Sequence, residues 1–232
     1  MARGVVWGVG KGLNGQDAGR QAAQNALQWV GSSRPALGLV FVAQEFDIGD
    51  VLNGMDNVLT NVPLWGFGTV MPWSAEGEQP RSVVIALITG SDFKATVNLY
   101  PNFAQDSQDV VRQMMRGMKA SNNSPQSNAV LLAVDGVNGD VSQLVDVFSE
   151  ANMRVAGGLA SGSYQTGKTF LIGGNQSASG AVTVLQLGGR LRLAVGLGHG
   201  WKAIGRRFQV SRARSLWVNA LDGASPVEAY AA

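Results

Sequence analysis

Between Asp17 and Val30, the residues Ala18, Ala22, Ala26 and Val30 fall on one stripe at four-residue spacing, which predicts a helix whose small-residue face packs closely on a sheet. That helix follows the turn Gly12-Leu13-Asn14-Gly15. After Pro35 the periodicity gives way to an unbroken apolar run from Ala36 to Val42, the pattern of a strand covered on both faces. Asp47 to Thr60 returns to helical spacing, with Val51, Leu52, Met55, Val58 and Leu59 on one side, and stops before Pro63. Leu64 to Thr69 reads as a strand running into a glycine-rich turn, and Ser82 to Ile88 with Lys94 to Leu99 reads as a hairpin around Thr89-Gly90-Ser91-Asp92. A further helix, Asp106 to Met118, opens on a capping Asp and aligns Val110, Val111, Met114, Met115 and Met118, methionines that read as core filler.

The polar stretch Ser121 to Asn128 marks a boundary, and beyond it the pattern starts again. Ala129 to Val134 matches the apolar strand Ala36 to Val42. Asp140 with Gln143 has capping-box spacing where Asp47 stands in the first half. Val155 to Leu159 corresponds to Pro63 to Phe67, and Gly180 to Leu187 with Leu191 to Gly198 corresponds to the first hairpin. A repeat of about 90 to 95 residues is longer than solenoid periods. It predicts an α/β fold of two similar lobes, an internal duplication in which each lobe is a mixed β-sheet with packed helices, the first over 1–120 and the second over 121–232. Ligands of open α/β sheets sit where strand ends feed loops, so the repeated glycine turns become the site candidates.

With 45% hydrophobic and 15% charged residues over 232 positions, the chain can bury a core without disulfides or metal. Polar residues or glycines interrupt every apolar run before the roughly 18 to 20 residues that span a bilayer, so a water-soluble protein is expected. Met1-Ala2-Arg3-Gly4 leads directly into Val5-Val6-Trp7 with no signal-peptide core, which reads as cytoplasmic. The lack of Cys excludes disulfides and thiolate chemistry, and a lone His199 leaves too few nitrogens for a typical catalytic zinc, so neither metal nor cofactor is expected.

The net charge of +2 hides an asymmetry. Residues 1–150 carry nine bases against fourteen acids, a balance of −5, whereas 151–221 carry nine bases and no acid, a balance of +9. The basic segment reads either as a solvated or lobe-complementary face or as a field that attracts an anionic ligand or partner. Its bases are not interleaved with stacking aromatics, so nucleic acid is not an expected partner, and neither is a membrane.

Gly162-Ser163-Tyr164-Gln165-Thr166-Gly167-Lys168-Thr169 spells the phosphate-loop pattern GxxxxGK[ST]. A working phosphate loop needs a helix immediately after it, and here Phe170-Leu171-Ile172-Gly173-Gly174 reads as a short strand into a turn. Gly8-Val9-Gly10-Lys11-Gly12 places its third glycine one residue early for a dinucleotide loop. There is no GxSxG elbow, and a hydrolytic triad would hang on His199 alone. Gly196-Leu197-Gly198-His199-Gly200-Trp201-Lys202-Ala203-Ile204-Gly205 combines a strand end and close-approach glycines with an imidazole, an aromatic plate and an ammonium, a set suited either to a small polar or anionic ligand or to a tight turn in which Trp201 caps the core.

Four segments in order resemble the N-terminal part of the FIST sensory domain: Gly66-Phe67-Gly68-Thr69, Gly157-Gly158-Leu159-Ala160, Gly200-Trp201-Lys202-Ala203-Ile204-Gly205 running toward Val210-Ser211, and Leu221-Asp222-Gly223-Ala224-Ser225-Pro226-Val227-Glu228-Ala229-Tyr230. The resemblance covers nearly the whole chain. It implies a non-enzymatic, intracellular module of signal transduction that binds a small molecule such as an amino acid or another small anion. A protein-interaction scaffold without a small ligand is the alternative, and a His199- or Lys168-dependent hydrolase stands third. The family tends to carry an acid after the Gly-Gly-x-Ala turn, where this chain has Ser161-Gly162. Its C-terminal companion domain is largely missing from a sequence ending at Ala232, so either a stand-alone or a truncated variant is expected.

The ligand-binding set is therefore Trp65, Gly66, Gly68, Thr69, Gly157, Gly158, Ser161, Ser163, Lys168, His199 and Trp201, converging on one pocket that is basic on its second-lobe side. The partners implied are the small-molecule ligand, a signalling protein or the companion domain, and a second copy in a homo-oligomer.

Overall fold

The computed structural model describes residues 4–121, 127–138, 141–150, 155–162, 167–189, 194–196, 198–214 and 217–231. It divides into two compact units, Met1–Leu193 and Ala194–Ala232. The first unit begins with β1 (Gly4–Gly10), α1 (Gly15–Leu27), β2 (Pro35–Ala43), α2 (Ile48–Asp56), β3 (Leu64–Thr69), β4 (Trp73–Ser74), β5 (Gly77–Glu78) and β6 (Val83–Thr89). It continues with β7 (Phe93–Tyr100), α3 (Ser107–Ser121), β8 (Ser127–Asp135), α4 (Ser142–Glu150), β9 (Val155–Ala160), β10 (Leu171–Gly173), β11 (Gln176–Ala178) and β12 (Val182–Gly189).

One sheet runs in the order β1-β6-β2-β3-β10-β11 and the other in the order β7-β12-β8-β9. In each, a helix joins a parallel pair, β2 to β3 and β8 to β9, and the next long strand returns antiparallel to the first of that pair. The registers agree residue by residue. Val40 faces Gly66 in the first pair, and Leu132 faces Gly157 in the second. A Cβ on Gly66 would lie 1.8 Å from the Val40 carbonyl oxygen, and one on Gly157 would lie 2.2 Å from that of Leu132. Only glycine fits either place. The α/β class read from the sequence is the class observed.

The hairpin expected over Ser82 to Ile88 and Lys94 to Leu99 is overturned. β6 is filled along both edges by β1 and β2, so the Thr89–Asp92 link carries the chain from one sheet to the other, and β7 pairs with β12 instead. β12 is likewise filled on both edges, by β7 and β8, and Leu191 to Leu193 of the second expected hairpin lie outside the described residues. Two consecutive apolar runs joined by a glycine turn look alike whether they pair with each other or with distant strands. Only the tertiary partners decide.

Three apolar layers hold the unit. Ala18, Ala22 and Ala26 of α1, with Val51 and Met55 of α2, pack on Val40, Ile85 and Leu87 of the first sheet. Val110, Met114 and Met118 of α3, with Leu144 and Phe148 of α4, pack on Val130, Leu132 and Val184 of the second. Leu37, Trp65, Leu171, Ala133 and Leu185 meet between the sheets. The result is four layers, helix, sheet, sheet and helix. The alanine stripe predicted for α1 lies against the small residues of β1, where a Cβ on Gly10 would sit 1.9 Å from the Ala18 carbonyl.

The helices begin at side-chain caps. Asn14 accepts from the Asp17 N–H at 2.8 Å, Asp47 from Asp50 at 3.1 Å and Asp106 from Asp109 at 2.9 Å. Asp140, expected to cap α4, and residues 122–126 of the expected boundary lie outside the described residues. β7 and α3, which precede that stretch, belong to the second sheet and its helical layer.

The second unit holds β13 (Val210–Arg214), which pairs antiparallel with β14 (Trp217–Leu221), and α5 (Pro226–Ala231). Asp222 ties the hairpin by accepting from the Gln209 N–H at 2.9 Å, and Arg206 lies 4.4 Å from the centre of the Phe208 ring. Ala220 and Ala229 are its buried apolar residues among those described. No helix among the described residues is long and apolar enough to cross a membrane.

Candidate functional site

Where β2 ends, the chain turns through Gln44 to Ile48 into α2, and this turn forms one wall of a cleft of about 590 Å³. The opposite wall is Gly167 to Phe170, which leads into β10, together with Ser177 to Ser179 at the end of β11. Phe46 and Phe170, the aromatic part of the lining, pack against the first core. Its polar part holds both signs of charge, Glu45 and Asp47 against Lys168, with hydroxyls on Thr169, Ser177 and Ser179. Asp47 is already engaged as the cap of α2. Thr169 is only 4% exposed, and its Oγ1 has no hydrogen-bond partner among the described residues. A buried hydroxyl left in this way costs about 1–3 kcal/mol, and such groups tend to collect where an outside partner completes them.

The cleft's second wall is held from below by Asp135, which is fully buried at the end of β8. Its carboxylate accepts from the N–H groups of Val137 and Asn138, both at 2.9 Å, and of Gly180 at 2.6 Å. Asn138 Nδ2 donates to the same carboxylate at 3.0 Å and to the Gly167 carbonyl at 3.1 Å. Sequence reasoning missed this group and the Glu45–Asp47 wall. The signal was present in Asp135-Gly136-Val137-Asn138, an Asx-type turn at the end of an apolar strand.

The residues singled out from the sequence fall in several places. Trp65 is buried between the sheets, donating its indole N–H to the Thr183 carbonyl at 3.4 Å and meeting Phe67 edge-on at 5.8 Å. Gly66 sits under Val40, and Gly68 makes room for the Phe170 ring, which a Cβ there would approach to 2.9 Å. The Gly68 N–H also donates to the Phe170 carbonyl at 2.9 Å, so this glycine seats the segment that carries Lys168. Thr69 and Ser161 come together, Ser161 Oγ donating to Thr69 Oγ1 at 3.3 Å and accepting from the Val70 N–H at 3.3 Å.

Gly157 and Gly158 lie elsewhere, in an apolar groove of about 420 Å³ between α4 and β9 that shares no lining residue with the Lys168 cleft. Ser163 lies outside the described residues. His199 and Trp201 belong to the second unit, in an irregular and exposed stretch. The phosphate-loop spelling ends in β10 rather than in a helix, as its sequence context indicated.

Residues 36–224 match the family model of the FIST N domain. The chain belongs to the FIST family. FIST domains are sensory domains, and membership accords with a role in signal transduction. Among solved structures, the FIST chain is similar to a cyanuric acid hydrolase from A. caulinodans, with 11% identity, a TM-score of 0.38 and coverage of 82% of this chain and 72% of that one. Comparison with curated proteins gave no match.

Proposed function

We propose that this FIST chain is an intracellular sensory module that binds a small ligand in the Lys168 cleft without turning it over and passes its occupancy to a signalling partner. The observation that carries the reading is the orphaned Thr169 Oγ1, a buried hydroxyl in the wall of a cleft that also presents Lys168, Glu45 and Asp47. Carboxylates on one wall disfavour a bare anion, whereas a ligand bearing an ammonium and a carboxylate, such as an amino acid, can answer both signs.

A thermal-shift screen of amino acids, organic acids and nucleotides tests it. A ligand at a hundredfold excess over Kd stabilises the fold by about 2.7 kcal/mol, roughly 5–10 °C for a domain of this size. Thr169→Val removes the orphaned hydroxyl at equal volume. It is expected to leave the unliganded protein as stable or more so, and to weaken the ligand-induced shift together with Lys168→Ala. A panel without a stabilising compound, or a shift indifferent to both substitutions, would overturn the proposal.

The second reading is an interaction scaffold without a small ligand. It draws support from the second unit, where Trp201, Ile204 and Tyr230 are 87%, 90% and 87% exposed. Light scattering that finds a monomer, together with no partner in pull-downs, would count against it.

A further inference from the structure

The two parallel pairs of the first unit differ in what lies beyond them. β3 is followed in its sheet by β10, which runs antiparallel to it with Leu171 opposite Phe67, Ile172 opposite Gly66 and Gly173 opposite Trp65. β9 holds the equivalent place in the other sheet, and no strand among the described residues pairs with its outer edge. An unpaired edge of this kind is a template for another strand.

The first sheet also shows what the missing strand has to bring. Gly66 has no side chain to place beneath the helices, and Ile172, opposite it, is fully buried in the helix-side core of that sheet. At the equivalent position, Gly157, no neighbouring strand among the described residues supplies such a side chain. An apolar groove lies there instead, walled by Leu144, Val145 and Phe148 of α4. Beside it Leu159 is 50% and Val145 65% exposed, so the groove is open to an incoming residue. A Cβ on Gly158 would meet nothing within 4 Å.

We infer that the outer edge of β9 is a docking site for an extended, apolar partner segment that adds antiparallel to it, as β10 adds to β3, and places a large aliphatic side chain opposite Gly157 in the α4–β9 groove. Main-chain hydrogen bonds hold the added strand, and the groove selects its side chain. The surface is separate from the Lys168 cleft, so ligand binding and partner docking occupy different faces of one unit.

The probe is a fluorescein-labelled peptide copying Thr169 to Ala178 of this chain, titrated with the full-length protein and followed by anisotropy and hydrogen exchange. Saturable binding is expected, with slowed exchange of the amides of 155–160. Val145→Asp, which puts a carboxylate on an already exposed part of the groove, is expected to weaken binding at least tenfold. The same peptide with Ile172→Asp, offered to the unaltered protein, is expected to lose binding equally, which guards against misfolding of the protein variant. No saturation up to about 1 mM peptide would overturn the inference, as would binding indifferent to both substitutions. So would protection, in the peptide-free monomer, of those amides of 155–160 that do not donate to β8, or a dimer that Val145→Asp dissociates, since either puts a different occupant on this edge.

Discussion

Removing the Asp135 carboxylate is expected to cost about 3–5 kcal/mol, a large share of the stability of an ordinary domain. In Asp135→Ala three backbone donors and one amide lose their acceptor, the N–H groups of Val137, Asn138 and Gly180 and the Nδ2 of Asn138. Val137 is half-buried and Asn138 exposed, so their donors can turn to water. Gly180 is buried, and its N–H keeps a penalty of about 1–3 kcal/mol. Loss of the charge-assisted bonds themselves supplies the remainder, at about 1.5–3 kcal/mol for each bond that water does not replace. Asp135→Asn keeps the volume and one carbonyl oxygen, and is expected to cost about half as much.

Urea unfolding gives both values from the shift in midpoint at constant slope. Proteolysis of the native protein should show the Lys168 segment nicked first, because Asn138 then loses the carboxylate that orients its bond to Gly167. A destabilisation below about 1 kcal/mol in Asp135→Ala would refute the view that this carboxylate organises the turn.

Two further expectations concern packing and pH. A Cβ on Gly54 would lie 2.1 Å from the Gln16 carbonyl oxygen, a backbone atom with little freedom to retreat. Gly54→Ala should therefore push α1 and α2 apart at a cost of about 1–3 kcal/mol, more than its gain of about 1 kcal/mol in helix propensity, and an unchanged or higher Tm would contradict so close a crossing. Burial holds the Tyr100 phenol above its ordinary pKa of 10.0. The folded state thus favours the neutral phenol, and its contribution is complete below the unfolded value and is lost as pH rises through the folded one. Denaturant unfolding from about pH 8 to about pH 11 should show Tyr100→Phe losing less stability than the parent, and parallel alkaline limbs would exclude Tyr100 as the source.

The elements were legible wherever one periodicity ruled. The alanine stripe of α1, the Asp47 and Asp106 caps and the apolar runs of β2 and β8 each follow from local spacing. Strand partnership was not legible, because β6 and β7 carry no mark of belonging to different sheets. Of the residues singled out as ligand-binding, Lys168 is the one that lines the candidate cleft. Gly68, Thr69 and Ser161 do bring distant turns together, but packing alone accounts for Trp65 and Gly66, one filling the inter-sheet core and the other yielding to the Val40 carbonyl. Glycines that admit a ligand and glycines that admit another strand look the same in a sequence. Asp135 escaped notice because a single acid at a strand end has meaning only through the three turns it gathers.

The placement of β10 and β11 in the first sheet has a consequence for how the protein is made. Ile172, which completes the core beneath α1 and α2, emerges from the ribosome only after β7, α3, β8, α4 and β9 have been synthesised. The leading half therefore waits, with one sheet edge and part of its core uncovered, until the trailing half supplies the closing hairpin. Contacts so distant along the chain slow folding and lengthen the exposure of sticky surface. Splitting the gene between the two sheets would give a first fragment that cannot finish its own interior, so the two halves are interdependent from birth.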